Sequence, residues 1–456
     1  MKTPFPFPNQ GRVSETGSVL IVVLWVSLGL VALTLVFAHS MLMSYRAADN
    51  DLAGYQADAA IDAGLSYAET VLSNTGTPGL FPDITTYQGE AIPVGDASFW
   101  FIGRDNNNTP TTTPVFCLVD EASKINLNNA TEAMLEALPG MTPDLADAII
   151  DWRTAPGSAT TTTAGGSYNY ESLQPPYTDK NATFESVEEL SLVYGMDNIT
   201  LYGEDANLNG ALDPNEDDGE KTQPSDNANG TLDPGLLEYV TVYSREPNTK
   251  SDGTAKVSVA TVSPLPQPVI DLLTTTFGAA QSTTFQTNLT ASGATPVGSL
   301  MEFYIRTQMT ADQFAQIADS ITVSTGQYVT GLINVNTASE TVLGCIPGIG
   351  LNNAPAIISA RQSRTTGDTS FVWVRDILGD AAATQAGKYI TGKSYQVSAD
   401  IAAVGRNNRG YRRTRFIIDT TDSTAPKVIY RRSLSQLGWA LGRDTRQTLD
   451  SRNNGI

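Results

Sequence analysis

The run from Val19 to Ala38 constrains this chain more than any other feature. Only Ser27, Gly29 and Thr34 interrupt it, and it carries no charge. Twenty apolar residues at helical rise cross a hydrocarbon core of about 30 Å. The run is longer than a signal-peptide core, and no A-x-A cleavage site ends it. It therefore predicts a membrane-spanning helix that stays on the mature product. Lys2 and Arg12 stand against Glu15 in the preceding segment, so the N-terminus is expected in the cytoplasm and the bulk of the chain outside it. From Ser40 to Thr75 the sequence turns polar and Ala-rich without a single proline. Apolar residues recur there at helical spacing, so one long helix is expected, half in the membrane and half beyond it.

Composition narrows the function. The 456 residues hold 48 acidic and 28 basic side chains and one His, a net charge of -20. Nucleic-acid affinity comes mainly from Lys and Arg neutralising phosphates, so no nucleic-acid partner is expected. A single His leaves no zinc ligand set and no His-dependent nucleophile, and no Gly-rich phosphate loop is present. The chain reads as a non-enzyme. Cys117 and Cys345 both sit in apolar surroundings, which favours buried thiols over one bridge.

A short leader ending in Gly17, followed by a membrane helix with an amphipathic extension, resembles the type IV prepilins and pseudopilins. The resemblance implies cleavage by a prepilin peptidase between Gly17 and Ser18. Most pilins carry Glu at the fifth mature position, where this chain has Val22. That absence is typical of the K-type minor pseudopilins of type II secretion systems. The family implies a place at the pseudopilus tip, with other minor pseudopilins, the inner membrane and secreted cargo as partners.

A repeat organises the middle of the chain. INLNNATEAMLEALPGMTPDLADAIIDWR (Ile125–Arg153) aligns without a gap on INVNTASETVLGCIPGIGLNNAPAIISAR (Ile333–Arg361). Each copy has I-N-x-N, a Pro-Gly turn, an apolar run and a closing Arg, and resembles a helix-hairpin-helix. Asn126 and Asn334 are expected as turn or cap residues. The first copy carries Asp144, Asp147 and Asp151, which repel phosphate. Arg361, Arg364 and Arg375 leave the second as the only credible DNA site, the basis of a competing reading as an anchored DNA-binding protein of a competence-type system.

DANLNGALDPNE (Asp205–Glu216) fits the twelve-residue calcium loop. Asp205, Asn207 and Asn209 fall at positions 1, 3 and 5, Gly210 at 6, the Ala211 carbonyl at 7, Asp213 at 9 and Glu216 at 12. Hard oxygen ligands at this spacing suit Ca2+. The flanks do not read as helices, so a stapled loop is expected rather than a sensor hand. The competing reading is a solvated Asx/Gly turn. A degenerate echo, SDNANGTLDPG, places Asn227, Asn229, Thr231 and Asp233 at positions 3, 5, 7 and 9; it reads either as a weaker site, with Asp226 or Glu238 as lender of a carboxylate, or as a mere turn.

The expected fold class is α+β: a long N-terminal helix and a pilin-like antiparallel sheet with a large helical insertion. The expected order is leader (1–17), membrane and amphipathic helix (18–76), first strands (77–124), first repeat (125–200), calcium region (201–265), helices with the second repeat (266–390), then C-terminal strands and a polar, loose tail (391–456).

Overall fold

The computed structural model describes residues 16–104, 112–155, 170–291, 293, 295–364, 367–422 and 425–453. The leader up to Glu15, the Asn/Thr-rich turn at 105–111 and most of the linker 157–177 lie outside the described residues.

Helix α1 runs unbroken over Thr16–Ser73. Its first half exposes its large apolar side chains from Val19 to Phe37. Its second half buries Ala53, Ala57, Ala60, Ile61, Ala68 and Leu72, a stripe at three- and four-residue spacing. The stripe lies on an antiparallel sheet of β1 (Ile92–Val94), β2 (Ala97–Phe101), β3 (Val119–Asp120), β4 (Gln396–Gly405), β5 (Arg409–Asp419) and β6 (Lys427–Ser433). The strand order is β1-β2-β4-β5-β6, with β3 also pairing β4. Strand alternation sorts the faces. Phe99, Phe101, Ile401 and Phe416 pack under α1, whereas Trp100, Ala402 and Val404 face the other way.

Small residues on α1 let the sheet approach closely. A Cβ placed on Gly64 would lie 3.0 Å from both Ile401 Cγ2 and Phe99 Cδ2. Gly64→Leu is therefore expected to cost about 1–3 kcal/mol through overpacking. Urea unfolding reads this as a lower midpoint, while Ser66→Leu on the exposed face stays within about 0.5 kcal/mol of the parent.

The C-terminus departs from the sequence expectation. The polar tail forms α12 (Gly442–Asn453), which docks Leu449 beside Trp100 and Ala440 on the second face of the sheet. The Arg446 guanidinium lies over the Trp439 ring, 4.7 Å from its centroid. One apolar anchor in a charged segment leaves no periodic signal to read.

The insertion occupies the chain between β3 and β4. It contains α2 (Glu132–Glu136), α3 (Pro143–Arg153), α4 (Asn198–Tyr202), α5 (Gln267–Phe277), α6 (Ala279–Ala291), α7 (Leu300–Thr307), α8 (Ala311–Ile317), α9 (Glu340–Gly344), α10 (Gly350–Gln362) and α11 (Val374–Ala386) around its own core. Thr310 caps α8 in a capping box with Gln313, as its sequence suggests.

The two repeat copies fold alike. Ile125–Asn126 pairs in parallel with Val240–Thr241, and Ile333–Asn334 pairs in parallel with Ile390–Thr391. The Asn126 and Asn334 side chains accept from the Asn128 and Asn336 amides at 2.9 and 3.0 Å, so both are turn residues. The helix caps are Thr131 and Ser339 instead. The closing arginines point inward: Arg153 donates to the Leu127 and Ala130 carbonyls, and Arg361 to those of Val335 and Ala338.

The buried Asp120 carboxylate joins the second copy to the sheet. It accepts from Asn334 at 2.9 Å, Thr337 at 2.6 Å and Ser394 at 2.5 Å, while burial pushes its pKa up to about 6. Cys117 and Cys345 are both buried, and no disulfide joins them.

Candidate metal loops and anchor helix

The loop Asp205–Glu216 is wound by its own side chains. The Asp205 carboxylate accepts from the Asn209 amide at 3.0 Å and the Gly210 amide at 2.8 Å. Asn207 Oδ1 accepts from the Asn209 amide and Asn209 Oδ1 from the Ala211 amide, so the odd positions all turn inward. Gly210 has φ 73°, the left-handed turn its position requires. Glu216 reaches back across the loop and accepts from the Ala206 amide at 3.1 Å and the Asp213 amide at 3.0 Å.

The centre of the site is buried and acidic. Asp205, Asn209 and Glu216 are each at most 1% exposed. Burial, then the charges of Asp205 and Asp213, push the Glu216 carboxyl up to about 8. Asp213 Oδ2 accepts from the Asn207 and Asn209 side-chain amides at 2.7 and 3.0 Å. Among the described residues, no three His, Cys, Asp or Glu side chains gather as a metal site by themselves. A cation here would need the two Asn side chains and the Ala211 carbonyl as well. That oxygen-only mixture is the donor set hard cations take, so the residues present fit Ca2+.

The second loop has the same winding. The Asn229 amide donates to Asn227 Oδ1 at 3.0 Å, the Thr231 amide to Asn229 Oδ1 at 2.7 Å, and the Asn227 side chain to Asp233 at 2.7 Å. Ala228 and Gly230 repeat the positive φ of Leu208 and Gly210.

The missing carboxylates come from the flanks of the first loop. Asp217 accepts from the Gly230 amide at 2.9 Å, matching Asp205 on Gly210. Glu204 accepts from the Asn227 and Asp233 amides, both at 3.0 Å, matching Glu216 on Asp213. Each Glu-Asp doublet, 204–205 and 216–217, thus gives one residue to each loop.

Asp226 and Glu238, the lenders suggested by sequence, are engaged elsewhere. Asp226 accepts from the amides of Asp218, Gly219 and Ala228, and Glu238 pairs with Arg104 at 2.7 Å. Sequence reading missed Glu204 and Asp217 because they lie outside the aligned window. The repeated doublet was the available signal.

Two arginines clamp the first loop to the rest of the fold. Arg413 on β5 is fully buried, forms a two-point pair with Asp400 on β4 at 2.8 Å, and donates to the Leu208 carbonyl at 2.7 Å and to that of Asn207. Arg104 donates to the same Leu208 carbonyl at 3.1 Å.

The proposed cleavage pair Gly17–Ser18 falls in the first turn of α1. The described part of that helix is long and apolar enough to cross a membrane. The three arginines that made the second repeat a DNA candidate are all committed within the fold. Arg361 holds carbonyls, Arg364 pairs with Asp368, and Arg375 pairs with Asp380 at 2.6 Å.

A long apolar helix whose outer half lies on an antiparallel sheet, with a helical insertion between the strands, is a pilin-like arrangement, and the helix fits a single-pass membrane anchor. Residues 119–202 match the family model described as Type II secretion system (T2SS), protein K. A chain from the crystal structure of the GspK-GspI-GspJ complex of the enterotoxigenic Escherichia coli Type 2 Secretion System is similar over 87% of this chain and 99% of its own, with a TM-score of 0.40 and 10% identity. No curated protein matches.

Proposed function

We propose that this pseudopilin is cut between Gly17 and Ser18 by a prepilin peptidase. Its apolar half-helix then holds it in the inner membrane, N-terminus cytoplasmic and bulk periplasmic. Its work is assembly rather than catalysis. The observation that carries this reading is the division of α1 into an apolar half exposed along its length and a small-residue half buried on the sheet. The exposed half is free to pack against the helices of other minor pseudopilins. Val22 stands where a carboxylate would have to be paired inside the bilayer, a cost avoided by a subunit with none above it. This supports a place at the filament tip, where secreted cargo would meet the insertion. Ca2+ would be held by Asp205, Asn207, Asn209, the Ala211 carbonyl, Asp213 and Glu216. A second ion would take Glu204, Asp217, Asn227, Asn229, the Thr231 carbonyl and Asp233. The ions would neutralise buried acids and keep an acidic insertion compact.

The test is co-expression of the full chain with a prepilin peptidase, followed by mass spectrometry of the N-terminus. A product beginning at Ser18, absent in Gly17→Leu, is expected. An intact N-terminus in both would overturn the reading.

A further inference from the structure

A second polar site lies away from the metal loops. A cavity of about 550 Å³ opens between the short strand Arg245–Pro247, helix α8 and the segment after α11. This is the size range of small-ligand pockets. Its walls include Leu300, Phe314, Val329 and Phe371.

Two acceptors lining it have no donor. Glu246, in the strand, and Asn248, just past its end, both line the cavity. Glu246 Oε1 and Asn248 Oδ1 are both buried without a hydrogen-bond partner. Buried acceptors are ordinarily satisfied, and leaving two beside one cavity is costly. Lys256 also lines the cavity and is held only loosely, its ammonium 3.5 Å from the carbonyl of Pro247, the residue between Glu246 and Asn248. Lys393 is committed to Asp319 at 2.9 Å. Burial first, then the charge of Lys393, lowers the Lys256 pKa, and burial raises that of Glu246. Glu246 also takes a hydrogen bond from Thr391 and the two groups attract each other, yet among the described residues neither forms an ion pair within 4.0 Å.

We propose that this cavity binds a zwitterionic ligand of the amino-acid or short-peptide class. An ammonium supplies the donors that Glu246 and Asn248 lack. A carboxylate supplies the acceptor that Lys256 lacks, and an apolar side chain fills the space against Leu300 and Phe314. A simple anion would face Glu246 and Asp319, and a metal ion would face Lys256, so neither matches the wall. The inference does not depend on the secretion role.

The experiment is calorimetric titration of the full chain in detergent with leucyl-leucine, N-acetyl-leucyl-leucine and leucyl-leucinamide. Leucyl-leucine is expected to bind one-to-one. Removing either terminal charge should weaken binding about tenfold or more. Glu246→Gln should abolish the preference for the free ammonium, and Lys256→Met the preference for the free carboxylate. Absence of saturable heat with leucyl-leucine at millimolar concentration overturns the proposal, as does equal binding of the three ligands. If Glu246→Gln fails to fold, the ligand series on the native chain decides alone.

Discussion

Withdrawing calcium from the full chain is expected to lower its melting temperature by about 5–10 °C for each ion lost. With free Ca2+ at a hundred times its Kd, one site contributes about 2.7 kcal/mol, and each kcal/mol moves the melting point of a large domain by about 2–4 °C. The loops make the prediction specific. Calcium titration followed by native mass spectrometry should count two ions in the parent. Glu216→Gln should lose the ion of the first loop, and Glu204→Gln that of the second. Glu238→Gln should keep both, because Glu238 serves Arg104. Two ions retained in Glu204→Gln would sink the assignment of Glu204 to the second loop. A chelator without effect on the parent would sink both sites.

The second large effect concerns Arg413. Arg413→Ala leaves the buried Asp400 with Arg415 alone and takes a donor from the Leu208 and Asn207 carbonyls, so it should cost about 3–5 kcal/mol in urea unfolding. The double variant Arg413→Met/Asp400→Leu should cost less than the sum of the two single changes, since neither member of the pair is left buried without the other, although Arg415 loses Asp400. Arg413 also grips the Leu208 and Asn207 carbonyls, so both variants should weaken calcium binding to the first loop.

The pair predicts a pH dependence as well. Burial alone would raise the Asp400 carboxyl, but the Arg413 and Arg415 guanidiniums hold it well below the usual carboxylate range. A depressed folded pKa gives stability that is fully present above the unfolded value of about 4 and is lost as pH falls through the folded one. The gap between parent and Arg413→Ala should therefore narrow only in strong acid. An unchanged gap at pH 2 would show that the cost of Arg413→Ala is lost packing instead of lost charge.

Local patterns were legible wherever one segment carries its own physics. Val19–Ala38 needs nothing beyond its length and apolarity to be read as a helix able to cross a membrane. The proline-free Ala-rich stretch after it carries that helix on to Ser73. The alternation in Ala97–Phe101 and Gln396–Asp419 announces strands because the side-chain period is two. The first loop was readable residue by residue, since an Asx-rich loop is wound by bonds within a dozen positions. The I-N-x-N repeat was visible too, but its purpose was not. Its asparagines and closing arginines bond carbonyls and amides within and beside each copy, so a pattern that suggests phosphate binding is spent on the fold.

What only the tertiary structure decided are contacts between segments far apart in sequence. Arg413 meets the Leu208 carbonyl across 205 positions, and Asp120 meets Ser394 across 274. The docking of the polar tail through Leu449 belongs with these. So do the carboxylates of the second loop, which arrive from the flanks of the first. A sequence specifies such contacts only through the fold that brings them together. A buried charge is stable only beside its partner, and the chain's one-dimensional pattern does not say which partner will be there.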